Sequence, residues 1–344
     1  MDFLLFVAPP AFGKTQWLKT FVNSTACYVL IVPLRALAEE LIKNQWQTIH
    51  YNCWDKDFRI EAFITKGGLL IVTPEKFLKL LNKDPRFDDL DFIVIWDEWH
   101  LNSIWGETFR PKLLELQYYF WAHSCPQIGL TATLSLEDQQ WLWELRSLLQ
   151  IKIISYGNFE LKKPPSSHKI IFNNYSHWLE LKILRLCLMK ESRVLIFVKY
   201  RQEVDRWVKL FQNKKIDSLG CKGGETKEFV QHLIIQPQTK VIITTTALSH
   251  GVNLPSFTHI CFTYVEDSPT FWLQMVARGG RRGEAYELVE MKNNTWKSSW
   301  VKTWAKSFFW AIVDLWLLKV LFCRRWIIKN VTWWLKCLPV KEQS

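Results

Sequence analysis

Ala8–Thr15 reads APPAFGKT, between an apolar run suited to a strand and a stretch suited to a helix. Phosphate binding needs backbone N–H groups aimed at the anion, a helix N-terminus behind them, a lysine for the β- and γ-phosphates and a hydroxyl for Mg²⁺. Gly13, Lys14 and Thr15 suit the last three positions, while Ala8 stands where the generic pattern has glycine. A Gly-Lys-Thr at a turn is a moderate signal alone. Further along, Phe92–His100 reads FIVIWDEWH, an apolar strand ending in two adjacent carboxylates. Asp97 there can hold Mg²⁺ through water, Glu98 can orient and polarise an attacking water, and His100 can report the γ-phosphate to the rest of the protein. A carboxylate pair after a strand is usually a solvated turn. It becomes specific when a phosphate loop lies on another strand of the same sheet.

Gln274–Gly283 reads QMVARGGRRG. Phosphoryl transfer spreads negative charge over the γ-oxygens, and arginines inserted from a facing domain stabilise it. Arg278 and Arg281 are one helical turn apart and can share a face; the bland alternative is a basic surface turn. Upstream, Thr244–Pro255 reads TTTALSHGVNLP. A strand end with three threonines and a flexible glycine can bind a sugar-phosphate backbone and the edge of a nucleotide.

These groups need elements to position them. Short apolar runs recur at Phe3–Val7, Cys27–Val32, Leu69–Thr73, Phe92–Trp96, Gln127–Thr131, Val194–Val198, Lys240–Thr245 and His259–Thr263. Runs that are apolar throughout predict strands buried on both faces of a parallel sheet. Amphipathic stretches such as Leu34–Gln45 and Arg201–Gln212 lie between them, so the pattern predicts an α/β fold with right-handed crossovers. Phe159–His168, FELKKPPSSH, breaks the rhythm and reads as an interdomain linker. Residues 1–158 then form one α/β domain, 169–291 a second, and 292–344 a tail. Ligands of open α/β sheets sit at the carboxyl ends of strands, so two facing sheets make a cleft lined by strand ends.

With 344 residues the chain is long enough for about two domains of ~150 residues. Apolar residues make up 49% of it, which excludes a largely disordered chain. The net charge of +11 suits a polyanion or an anionic membrane surface. The eight cysteines form no C-x-x-C pair. They read as reduced residues of a cytoplasmic, nucleoid or nuclear protein, with no disulfide framework or zinc site expected. Met1–Ala8 is too short for a signal peptide and lacks a basic start.

The ordered series of motifs resembles the superfamily 2 DExH-box helicases and, within them, the superkiller-like subgroup. APPAFGKT looks like motif I, VPLRALAEE (Val32–Glu40) like Ia, IVTPEKF (Ile71–Phe77) like Ib, WDEWH like II and LTATLS (Leu130–Ser135) like III. LIFVKYRQE (Leu195–Glu203) looks like IV, TTTALSHGVNLP like V and QMVARGGR like VI. The resemblance spans residues 3–283. It implies two RecA-like P-loop NTPase domains facing across an ATP cleft, and an ATP hydrolase that moves along single-stranded DNA or RNA. Position by position it implies that Gly13, Lys14 and Thr15 bind phosphate and Mg²⁺, that Asp97 coordinates Mg²⁺, and that Glu98 is the catalytic base. It further implies that His100, Thr131 and Thr133 couple hydrolysis to movement. Gly251 and Asn253 would contact the nucleotide, Gln274 would face the γ-phosphate, and Arg278 and Arg281 would be arginine fingers. Arg35, Thr73, Pro74, Lys199 and Thr245 fall where the family grips the nucleic-acid backbone, without base preference.

Ala11 and Ala277 depart from the family's glycines. Alanine at position 11 is tolerable if its φ is negative and costly otherwise. No Q-motif that would read adenine precedes Phe3, and the subgroup's winged-helix and ratchet domains have no counterpart in these residues. Hydrolysis is therefore better supported than base selectivity or strand separation. These departures motivate an alternative: a nucleotide-dependent clamp or adaptor with little turnover.

The tail is distinct. Residues 292–344 hold ten Lys/Arg, two Asp/Glu and eight of the twenty tryptophans. Trp296, Trp300 and Trp304 are spaced to share a helix face. Phe308–Phe322 is nearly all apolar but shorter than a bilayer-crossing helix. Three readings stand for this basic helical extension: helices packed on the core, a platform stacking nucleic-acid bases, and an interfacial helix giving peripheral membrane association. A surface for a protein partner is a fourth.

Overall fold

The computed structural model describes residues 2–22, 26–43, 45–54, 58–87, 90–106, 110–147, 149–173, 176–248, 254–293 and 342–343. The candidate residues Gly251 and Asn253 and nearly all of the tail, including its tryptophans, lie outside them.

The first domain alternates strands and helices: β1 (Asp2–Val7), α1 (Lys14–Phe21), β2 (Cys27–Ile31), α2 (Arg35–Lys43), β3 (His50–Asn52), α3 (Ile60–Lys66), β4 (Gly68–Val72) and α4 (Pro74–Leu81). These are followed by β5 (Phe92–Trp96), α5 (Leu101–Gly106), α6 (Lys112–Ala122), β6 (Gln127–Thr131), α7 (Leu136–Leu145) and β7 (Gln150–Ser155). Its sheet runs β3-β4-β2-β5-β6-β1-β7, with every pairing parallel. All residues of β2, β4 and β6 are buried, as the unbroken apolar runs of β2 and β4 predict for strands covered on both faces; β6 also buries Gln127 and Thr131. One core cluster, around Phe77, Trp96 and Phe120, packs on one face. A second, around Leu18, Ala38 and Leu41, packs on the other.

The second domain contains β8 (Ser167–Phe172), α8 (Ser176–Leu188), β9 (Val194–Phe197), α9 (Arg201–Asn213), β10 (Ser218–Cys221), α10 (Thr226–Ile235), β11 (Val241–Thr244), β12 (His259–Phe262), α11 (Pro269–Val276) and β13 (Glu287–Lys292). Its sheet runs β10-β11-β9-β12-β13-β8, again parallel, and the short β14 (Glu342–Gln343) pairs antiparallel on the β8 edge. Two clusters cover its faces, one around Phe229, Phe257 and Leu288 and one around Ile183, Trp207 and Phe211.

All eight predicted strands form, within one residue at each end. Five more strands precede the tail, β3, β7, β8, β10 and β13, and their sequences mix polar with apolar residues. β8 begins inside the segment read as a linker. The six described cysteines form no disulfide with one another. Among the described residues no helix is long and apolar enough to cross a membrane, and no cluster of metal-ligating side chains forms.

Candidate active site at the interdomain cleft

In the first domain β1 delivers the loop Ala8–Gly13, and α1 begins at Lys14. Gly13 has φ 107 and open space around it, so this position needs glycine for its backbone rather than for room. Ala11 has φ 60. The alanine that departs from the usual glycine therefore sits in the left-handed region, at a cost of roughly 1–2 kcal/mol. Ala277 has φ −66 and carries no such strain.

Lys14 donates from Nζ to the carbonyls of Ala8 at 2.9 Å and Pro9 at 3.3 Å. Burial lowers its pKa, the carboxylates of Glu98 and Asp97 push the other way, and Arg281 adds to the lowering. Asp97 ends β5 and is raised to about 7, first by burial and then by Glu98, with Lys14 opposing. Two adjacent, partly buried carboxylates favour a cation beside them. Glu98 adopts φ 51, a strained conformation of the sort found where the surroundings fix a functional side chain.

His100 is fully buried, and burial together with the Lys14 charge lowers its pKa to about 3. It is therefore neutral at pH 7. Thr131 at the end of β6 donates from Oγ1 to the Thr133 carbonyl at 2.7 Å and accepts from the Thr133 N–H at 3.2 Å. Its remaining lone pair faces His100 Nδ1 at 2.9 Å. A hydroxyl has one proton to give, so Nδ1 carries the imidazole proton; this tautomer follows from the network. Glu98 Oε2 lies 3.6 Å from Nδ1, a carboxylate beside a neutral ring rather than an ion pair. The Thr133 hydroxyl is buried and has no hydrogen-bond partner among the described residues. After Thr133, Ser135 caps α7 in a reciprocal box with Asp138, both bonds at 3.0 Å, which fixes the exit of the chain.

The second domain meets this array. Gln274, in α11 and 5% exposed, donates from Nε2 to Glu98 Oε2 at 3.2 Å. Arg278 is 2% exposed. Burial first, then Arg281, lowers its pKa, and Glu40 and Glu98 counteract them. Arg281 is lowered chiefly by burial, with the same two carboxylates opposing. A guanidinium stays charged at neutral pH, so these shifts measure the desolvation that a bound anion would offset. A cavity of about 390 Å³ is lined by Gly13, Lys14, Thr15, Asp97, Glu98, Gln274 and Arg281. Glu40 of α2 lines it too; nothing in its local sequence marks it, but it adjoins buried Leu41 at the rim of the helix's buried face.

The remaining predicted residues lie elsewhere along the two sheets. Thr73 and Pro74 are buried at the start of α4, a helix anchored where Glu75 accepts two bonds from Arg110 at 2.6 and 2.7 Å. Arg35 opens α2 with its side chain 63% exposed, pairs with Glu39 at 3.0 Å and lies over the Trp54 ring. Lys199 follows β9 and lies over Tyr200. Thr245 follows β11 and accepts from the Ala247 N–H at 3.4 Å. These positions follow β2 and β4 in one sheet and β9 and β11 in the other, neighbouring pairs in each. The cavity residues come from the segments after β1 and β5, from α2, and from α11 and the turn after it.

Tandem parallel α/β sheets, with a phosphate-type loop in the first and Arg281 of the second lining the same cavity, define a pair of RecA-like P-loop domains. The DEAD/DEAH box helicase model matches residues 2–141 and the helicase conserved C-terminal domain model matches residues 177–283. The chain belongs to the superfamily 2 helicases. No curated protein matches it in sequence. S. cerevisiae Dbp5 bound to RNA and ADP BeF3 has a similar structure, with TM-score 0.63 and 14% identity, over 86% of this chain and 80% of that one. The helicase MrfA bound to DNA and AMPPNP gives TM-score 0.60 and 17% identity over 90% of this chain. Mycobacterium smegmatis helicase Lhr bound to ssDNA and AMP-PNP gives 0.58 and 18% over 84%. Less than half of MrfA and Lhr is covered, 48% and 44%.

Proposed function

We propose that this chain is a DExH-type ATPase of the superkiller-like kind, which hydrolyses ATP between its domains to move along single-stranded nucleic acid. The contact of Gln274 with Glu98, in one cavity with Lys14, Asp97 and Arg281, carries the reading. Within it, Lys14 turns from its own loop carbonyls to the β- and γ-phosphates. Arg278 and Arg281 face the charge that develops on the γ-phosphoryl group. Glu98 orients the attacking water, and Gln274 holds the Glu98 carboxylate from the opposite domain. His100, Thr131 and Thr133 carry the change at Glu98 to the exit of β6.

The Thr15 hydroxyl and the Asp97 carboxylate line the same cavity and form a hard-oxygen donor set that fits Mg²⁺. When bound, Mg²⁺ would neutralise phosphate charge. Arg35, Thr73, Pro74, Lys199 and Thr245 would hold the nucleic acid across the strand ends that they follow. Relatives bound to RNA and to DNA support a nucleic-acid track of either kind.

The left-handed Ala11 favours one second reading, a clamp that binds nucleotide and turns over little. ATP hydrolysis measured with no nucleic acid, with single-stranded DNA and with single-stranded RNA separates the two. A motor gives stimulation by one polymer that Lys14→Ala abolishes. Turnover no higher than that of Glu98→Gln under all three conditions, with ATP bound, would overturn the motor in favour of the clamp.

A further inference from the structure

The segment joining the domains is attached at several points. Tyr156 donates its N–H to the Val7 carbonyl at 2.8 Å, and its ring packs on Phe6 and on Phe12 of the phosphate loop, with centroids 5.4 and 5.2 Å apart. Gly157, at φ 143, lies so near Pro9 that a Cβ there would come within 3.1 Å of its ring. Asn158 clamps the Leu134 backbone from both sides: its Oδ1 accepts from the Leu134 N–H at 2.7 Å, and its Nδ2 donates to the Leu134 carbonyl at 3.0 Å. Leu134 directly follows Thr133. Three residues later Leu161 packs into the core of the second domain. Three residues span at most about 10 Å, so the crossing has little slack.

The next two residues reach opposite ways. Lys162 goes back to the first domain and donates to the carbonyl of Ala11 at 3.2 Å. Lys163 goes forward and donates to the carbonyl of Gly283. Gly283 closes a turn by donating to Gly280 at 3.1 Å, and that turn carries Arg281. A Cβ on Gly280 would come within 3.2 Å of Lys163 Cβ. The Lys163 carbonyl also accepts from the Tyr286 hydroxyl at 3.2 Å, and Ser166 donates twice to the Tyr286 carbonyl, both at 2.8 Å. Within residues 156–163, Tyr156, Gly157, Asn158, Lys162 and Lys163 thus touch the phosphate loop, the segment after β6 and the arginine turn.

We propose that Asn158, Lys162 and Lys163 are positioning residues of an interdomain strap, which ties the phosphate loop to the turn bearing Arg281 and sets how that arginine meets the γ-phosphate. The chemistry resides in Lys14, Glu98 and the arginines, and the strap fixes the separation between them. Its catalytic consequence rests on the ATPase reading; its geometric consequence does not. A misplacement of about 1 Å in such an array costs on the order of 10²-fold in rate.

The test uses the full chain as wild type, as the triple variant Asn158→Ala/Lys162→Ala/Lys163→Ala, and as Lys162→Arg/Lys163→Arg, which keeps both donors. X-ray scattering without nucleotide reads the spacing of the domains. Steady-state ATP hydrolysis with a single strand present reads kcat and KM. The strap predicts a larger radius of gyration for the triple variant, with kcat down at least about tenfold and KM for ATP within about threefold. The arginine variant stays within about twofold of wild type in rate, with the wild-type radius. An unchanged radius in the triple variant overturns the proposal, as does an unchanged kcat when the wild type is active. A wild type that hydrolyses no ATP defeats the motor reading instead, and scattering alone then decides the strap.

Discussion

Gln274 Nε2 and Glu98 Oε2 are 3.2 Å apart, although 176 residues of chain separate them. A side chain of the second domain therefore rests on the carboxylate that is the candidate base of the first. Its amide can give the bond without adding charge. Gln274→Ala is expected to lower kcat for ATP about tenfold with KM changed less than threefold, because orientation of a general base contributes to the transition state alone. Gln274→Glu should be worse, since it sets a second carboxylate beside Glu98. Steady-state kinetics of the two variants checks both, and an alanine variant at wild-type kcat would remove Gln274 from the mechanism.

The two alanines of the nucleotide motifs should respond to glycine with opposite signs. Ala11→Gly relieves a left-handed strain and is expected to stabilise the chain by up to about 1 kcal/mol, less the unfolded-state entropy that glycine adds. Ala277→Gly relieves nothing, since φ is −66, and should cost about 0.5–1 kcal/mol. Urea unfolding at neutral pH reads both.

His100 ties stability to pH. Its folded pKa of about 3 lies below the ordinary 6.5, so the unfolded chain binds the proton more readily. The contribution is fully present above pH 6.5 and is lost progressively as pH falls toward 3. His100→Gln should flatten the urea midpoint between pH 6.5 and the acid end of the accessible range. An equally steep profile would place the acid sensitivity in other groups.

Arg35 and Lys199 are exposed and begin the helices that follow β2 and β9 or the loops before them. If they grip phosphates, Arg35→Ala and Lys199→Ala should each weaken single-strand binding to all sequences alike. Each should also reduce the salt slope, log K against log salt, by about 0.7. Anisotropy titrations at several salt concentrations give the slope. An unchanged slope would exclude the residue from the interface.

Much of this was legible from residue type. Strands β2, β4 and β5 are apolar without interruption because both faces are covered, and that continuity identifies them. The phosphate loop and the Asp97–Glu98 pair follow such strands directly. Strands β8 and β13 were not legible: Ser167–Phe172 and Glu287–Lys292 carry polar residues, held by long-range pairs such as Lys169 with Glu287 at 3.0 Å. Phe159–His168 read as a linker because its prolines break periodicity. What its lysines touch lies 151 residues away at Ala11 and 120 away at Gly283, beyond any local pattern. Glu40 shares this limit, since its place in the cavity depends on the second domain docking. Ala11 is a middle case: the departure was visible, and only the backbone shows that it is strained.

Strand β1 lies between β6 and β7, pairing Phe3 with Gln127 and with Ile151. On the ribosome those partners emerge long after β1 itself. The phosphate loop hangs from a strand whose first neighbour, β6, is complete only at residue 131 and whose second, β7, only at residue 155, so shorter nascent chains carry the loop on an incompletely paired strand. During synthesis β1 is an apolar segment waiting for its sheet, and a chaperone would meet it in that interval. Long-range parallel pairing of this kind slows folding.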